Sequence, residues 1–215
     1  MLDTLIEVIQ GPCNGNQASL IEAKIIDSSR DFIAGFEKPN DILPLGFSEE
    51  EEDIESIGEF KSKVVTLLLS LLEGDTDIPK ITRMSNAVDY NVVKDRMVTV
   101  FKMFAERTLG ETDLNIADLN LGRLNNALVK DSFEGSINEA FELYILLQTL
   151  AFNSDVAKSN IERKTFSIEQ WKAFDFIRTH TGKIEVNVNS SLQNVFFPKR
   201  RMCHFIALET RRQLM

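Results

Sequence analysis

The sequence predicts a mainly α fold, a helical solenoid followed by a small α/β segment with a β-hairpin. Three observations predict it. Apolar residues recur at i, i+3, i+4 and i+7 through most of the chain before Asn160, which is the mark of helices that bury one face. These stretches are separated by short punctuation, such as Gly11-Pro12 and Gly74 to Pro79, rather than by long linkers. After Thr165 the period shortens, and Lys183-Ile184-Glu185-Val186-Asn187-Val188 alternates polar and apolar residues as a strand does.

Leu2, Leu5, Ile6 and Ile9 share one face of a first helix, which Gly11 and Pro12 stop. Gly11 to Gln17 reads as a sharp turn, and a second helix is expected from Gln17 to about Phe36. From Glu37 the chain reads as a loop through Pro39 and Pro44, entering an acidic run, Glu49 to Asp53, that suits the positive end of a helix dipole. That run lacks the D-x-D-x-D-G order and distal Glu of a calcium loop, so it reads as a solvated helix start.

The next helix, from about Asp53 to Glu73, carries Ile54, Ile57, Phe60, Val64, Val65, Leu67, Leu68, Leu69, Leu71 and Leu72. It becomes apolar all round, so its end must be buried on several faces. Gly74 to Pro79 reads as a loop. Further helices are expected from Val88 to Thr108, from Asp113 to Lys130 and from Ser136 to Asn153. Such consecutive helices suggest an armadillo-like stack in which each pair buries its face on a neighbour.

Ser167 can cap a short helix carrying Trp171, Phe174 and Ile177, read as core residues. Lys183 to Val188 and Leu192 to Phe197 then form the two arms of a hairpin around Asn189-Ser190-Ser191, with Pro198 ending the second arm. The tail from Cys203 to Leu214 reads as a helix that is incomplete.

With 215 residues and 43% hydrophobic content, the chain can bury one large core, or a core with a smaller appendage. Its 24 Lys+Arg against 33 Asp+Glu give a net charge of -9, which disfavours nucleic acid and anionic lipid as partners. Cys13 and Cys203 are far apart and His180 and His204 form no H-E-x-x-H pattern, so no zinc motif and no catalytic constellation is visible. No enzymatic activity is expected. Cys13 reads as a small buried residue behind the turn, and Cys203 as a packing residue or, less favoured, a redox-sensitive thiol. Lys199-Arg200-Arg201, the one dense basic cluster, reads as a solvated turn or an ion pair with a neighbouring acidic surface, three charges being a weak signal for acidic lipid headgroups. Val64 to Leu72 falls well short of the ~20 residues of a membrane-spanning helix.

Three blocks then carry a family resemblance. Leu5-Ile6-Glu7-Val8-Ile9-Gln10-Gly11-Pro12-Cys13-Asn14-Gly15-Asn16-Gln17 resembles the L-T-E-Y-x-Q-G-P-C-x-x-N-Q stretch of the calcium-release channel family that contains the inositol trisphosphate and ryanodine receptors. Val65 to Gly74 resembles the buried helix end of the same region. Thr179-His180-Thr181-Gly182-Lys183-Ile184-Glu185-Val186, with Val195-Phe196-Phe197-Pro198 and Met202-Cys203-His204-Phe205-Ile206, is similar to H-T-A-Q-I-E-I, I-V-F-P-V-P and I-C-E-F-L of the inositol trisphosphate branch. Lys199-Arg200-Arg201 and His204 depart from that pattern.

The resemblance implies that residues 1–160 are the homology-associated helical domain and 165–215 the start of the intervening lateral domain. It implies a regulatory coupling segment on the cytosolic face of the endoplasmic reticulum or another calcium store, whose partners are the other domains and subunits of a tetrameric channel. By motif position Glu7 becomes a partial calcium ligand and Gln10 its hydrogen-bonding support, the rest of the site coming from elsewhere. The alternative is a free-standing helical-repeat scaffold that binds a protein or peptide.

Overall fold

The computed structural model describes residues 2–11, 13–35, 51–73, 78–127, 136–188 and 191–199. Their architecture is mainly helical with one two-stranded antiparallel sheet, the expected fold class. Helix α1 spans Leu2–Ile9 and buries Ile6 and Ile9. The single helix expected from Gln17 to Phe36 is instead two, α2 (Asn14–Glu22) and α3 (Ile25–Gly35). The break lies at Lys24, whose φ of 60° is left-handed, after the Ala23 N–H closes on Ser19 O at 3.0 Å. No Gly, Pro or Asn marks it.

Helix α4 (Glu51–Leu72) ends in the segment expected to be buried on several faces. Val64, Val65, Leu67, Leu68, Leu71 and Leu72 are all buried there. The stretch read as a loop around Ile78-Pro79 opens helix α5 (Ile78–Ala87). Proline is tolerated in a first helical turn because its missing N–H has no intrahelical partner to lose. Helix α6 (Tyr90–Leu109) starts at Asp89, whose carboxylate accepts from the Asn91 and Val92 N–H groups.

Asp113 to Asn120 is not helical, contrary to its periodicity; helix α7 is confined to Leu121–Ala127. Local polar chemistry wins over the pattern. Asp113 is left-handed, Asn115 Oδ1 accepts from the Ala117 N–H at 2.9 Å, and Asn120 Oδ1 accepts from the Gly122 N–H at 2.9 Å. Helix α8 (Ser136–Asn153) has its expected bounds, and a short helix α9 (Asp155–Asn160), capped by Ser154, follows it.

Helix α8 is the hub: α4, α5, α6 and α9 pack on it. Helix α10 (Ile168–His180) joins them, held at its start by a capping box between Ser167 and Gln170. Its Phe174, Phe176 and Ile177 are buried, and Trp171 is partly buried. Phe176 lies 5.0 Å from Phe101, and Phe174 lies 5.2 Å from Tyr144 and 4.9 Å from Phe166, centroid to centroid. Each such aromatic pair adds ~0.5–1.5 kcal/mol beyond its burial. The core therefore runs across the turn at Arg163–Thr165 into α10.

Strands β1 (Thr181–Val188) and β2 (Ser191–Pro198) pair antiparallel, with Ile184 opposite Val195. Their register starts at Val188 opposite Ser191, leaving a two-residue connection of the kind hairpins favour. Phe196 anchors the hairpin edge-on against Tyr144, with centroids 6.2 Å apart. The Phe197 ring lies over Gly182, where a Cβ would come within 2.3 Å of it, so a larger residue there would have to displace the ring. Among the described residues no helix is long and apolar enough to cross a membrane. The loop of 37–50 and the tail from Cys203 lie outside the described residues.

Candidate functional site

The turn after α1 is where the sequence placed its candidate residues, and the geometry there is built around Gln17. Gly11 takes a φ of 81°, open to glycine but costly for other residues, and reverses the chain. Its N–H donates to Glu73 Oε2 at 3.2 Å, across to the end of α4. Asn16 Nδ2 reaches back to Val8 O at 3.0 Å. Gln17 and Ile21, one turn apart on α2, both face inward, and Gln17 is fully buried.

A buried amide must be satisfied, and Gln17 is satisfied by helix ends. Its Nε2 donates to Ser70 O at 3.0 Å and Ile9 O at 3.2 Å, with Glu73 O and Gly11 O at 3.3 and 3.4 Å. These carbonyls lie in or just beyond the last turns of α1 and α4, where intrahelical donors run out. Gln17 Oε1 in turn accepts from Lys80 Nζ at 2.8 Å. The buried Lys80 brings a positive charge towards those helix C-termini, where the dipole favours it. One side chain thus ties α1, α2, α4 and α5 together.

Glu7 and Gln10, the candidate calcium ligand and its support, are exposed. Gln10 closes α1 through its N–H to Ile6 O at 2.8 Å. Calcium takes six to eight oxygens, and among the described residues no three His, Cys, Asp or Glu side chains converge.

Cys13 is exposed, not buried behind the turn as expected. With φ -99° and ψ 58° it precedes the first turn of α2, so it misses the row that carries Gln17 and Ile21 inward. Lys199, partly buried, donates its N–H to His180 O at 2.7 Å and its Nζ, at an exposed contact, to Thr179 O at 3.1 Å. Arg200, Arg201, Cys203 and His204 lie outside the described residues.

Three further polar contacts link the helices around α8. Arg96 Nε and Nη2 meet the two Glu139 oxygens at 2.7 and 2.9 Å, a nearly buried bidentate pair between α6 and α8. The Thr66 hydroxyl donates to Glu142 Oε2 at 3.0 Å, joining α4 to α8. Burial pushes the Glu142 carboxyl up, with neighbouring Glu139 adding to the rise and the Thr66 bond opposing it. Lys94 Nζ donates to both Thr165 O and Thr165 Oγ1 at 3.0 Å and stands 4.3 Å above the Phe166 ring. Burial lowers its pKa, and Asp95 opposes that.

Sequence reasoning named Gln17 as the last residue of a motif and the start of a helix, not as a buried hydrogen-bonding node, and missed Lys80. The available signal was a polar residue at the position where α2 must turn inward. Arg96, Glu139 and Lys94 carried no signal, because a charged residue on an amphipathic helix reads as exposed. A scan against protein-family models finds none that matches this chain.

Proposed function

We propose that this chain is a regulatory and coupling segment of an intracellular calcium-release channel resembling the inositol trisphosphate receptors. It passes ligand and calcium state from upstream domains towards a pore, acting with the other domains and subunits of a tetramer. In this reading it lies on the cytosolic face of the endoplasmic reticulum or another calcium store. Residues 1–160 serve as the helical domain and 165–215 begin the connector towards the membrane.

The observation that carries the reading is the Gln10–Gln17 stretch, which combines the motif order with the node that fixes α1 and α2 to α4 and α5. From that node, packed helices run through α8 to α10 and on to the hairpin. A displacement at α1 is resisted locally and passed on, because close-packed interiors transmit strain. The hairpin follows α10 directly, and Lys199 fastens its far strand to the end of α10. Calcium sensing in this reading draws on Glu7, with Gln10 beside it and further oxygens from other segments.

The test is reconstitution of the complete gene product into calcium-loaded vesicles. Release evoked by inositol trisphosphate is expected, and removal of Thr181 to Lys199 should abolish release while ligand binding persists. A complete product without membrane helices, or one that binds no such ligand and releases no calcium, overturns the proposal in favour of a helical scaffold.

A further inference from the structure

The Thr66 hydroxyl stands between two acceptors on the seam of α4 and α8. Its Oγ1 lies 3.0 Å from Glu142 Oε2 and 3.1 Å from Ser62 O, one turn back on its own helix. A hydroxyl carries one hydrogen, so it does not serve both fully. Ser62 O lies inside α4, where a carbonyl already accepts the N–H four residues on, so gaining or losing the hydroxyl costs it little. Glu142 is partly buried near Glu139, and burial together with that second negative charge favours its neutral form.

We propose that the Glu142 proton decides which way the Thr66 hydrogen points, making this contact a proton-sensitive joint between α4 and α8. Protonated, Glu142 donates to Thr66 Oγ1 and the Thr66 hydroxyl donates to Ser62 O, so two bonds in series run from α8 to the α4 backbone. Ionised, Glu142 gives its proton to water and has none left to donate. The Thr66 hydroxyl then swings to the carboxylate and leaves Ser62 O with its helical bond alone. Among the described residues, Glu139 is the charge that bears on Glu142. The cations on the surrounding helices are turned elsewhere: Arg96 of α6 holds both Glu139 oxygens, Lys63 of α4 meets Asp3 and Glu59, Lys80 of α5 meets Gln17, and Arg178 of α10 meets Asp175. Lys158 of α9 lines a cleft with Asp155 and Gln148 at the far end of α8. Lys61, buried on α4, lies round that helix from Thr66. Ionisation therefore leaves two negative charges on one stretch of α8 with a single arginine to meet them. Acidification tightens α4 on α8, and a rise in pH loosens them.

The full chain, isotope-labelled, is titrated from about pH 4 to about pH 8 while nuclear magnetic resonance follows the Glu142 carboxyl carbon and the Ser62 carbonyl carbon. A carbonyl carbon moves upfield when it loses a hydrogen-bond donor, so Ser62 should shift upfield as pH rises, with the same midpoint as Glu142. Glu142→Gln does not titrate and should hold Ser62 flat across the range. Thr66→Val removes the hydroxyl, and Ser62 should then stay flat while Glu142 still titrates. A Ser62 carbonyl that does not move while Glu142 titrates in the unmodified chain overturns the proposal. So does a Ser62 response that survives Glu142→Gln, which would assign it to another group, or one that survives Thr66→Val, which would assign it to the field of the carboxylate alone.

Discussion

Replacing Gln17 by alanine removes a side chain shared by four helices. Its amide has two hydrogens, so its two shorter bonds, to Ser70 O and Ile9 O, are the ones to count. Each neutral bond lost inside the protein costs ~1 kcal/mol. Lys80 also loses the acceptor 2.8 Å from its ammonium, and a hydrogen bond to a charged group is worth ~1.5–3 kcal/mol. The expected loss is ~3–5 kcal/mol, a large share of the ~5–15 kcal/mol that stabilises a typical domain. Urea denaturation followed by circular dichroism at about 222 nm, where helices absorb, reads this directly as a lower midpoint at unchanged slope.

Gln17→Glu separates the two halves of the node. A carboxylate would pair more strongly with Lys80 but cannot donate to the helix-end carbonyls, and it would place negative charge against them. It should therefore destabilise the protein despite its better charge match. A Gln17→Glu chain as stable as the unmodified one, or a Gln17→Ala loss below ~1 kcal/mol, would refute the capping account.

Arg96→Ala should cost ~3–5 kcal/mol in the same denaturation assay, because it leaves Glu139 buried without its bidentate partner. A loss within the ~0–1 kcal/mol of an exposed ion pair would mean that water reaches the site. Glu142→Gln tests the raised carboxyl. The folded protein holds this proton more tightly than the unfolded chain does, so the associated stability is full below the unfolded pKa and is lost as pH rises through the folded one. Glutamine stays neutral, so the variant should gain on the unmodified protein as pH rises from about 4 to about 7, a pH-independent difference being the contrary result. Isothermal titration of the 215-residue chain with calcium should show no saturable binding at micromolar concentration, and a stoichiometric isotherm would show that Glu7 has enough partners within the chain.

The helices whose apolar period is unbroken were legible from the sequence, α8 to its terminal residues and α10 through its Ser167 cap. So was the hairpin, because a change of period from 3.6 to 2 cannot be satisfied by one helix. The misses have local causes. Lys24 breaks a helix without any of the usual punctuation, Pro79 lies where proline is permitted, and Asn115 and Asn120 bend a chain whose apolar spacing suits a helix.

At the candidate site, the Gly11 turn was legible because glycine can take the left-handed conformation that ends a helix and a proline just beyond cannot continue it. The role of Gln17 was not, since it depends on helix ends brought together from Ile9 and from Ser70, far apart in the chain. The hairpin's orientation was equally hidden. Alternation shows that a strand has two faces, but not which one meets the core, and here Phe196 takes that place while Ile184 and Val195 face outwards.

The most direct test of the central claim is calcium flux through the complete gene product in loaded vesicles, with Glu7→Ala and Gln17→Ala compared against the unmodified sequence. The account predicts release evoked by inositol trisphosphate, a shifted calcium dependence for Glu7→Ala, and weakened coupling of ligand binding to release for Gln17→Ala. Absence of any evoked flux from a folded, ligand-exposed preparation would contradict it.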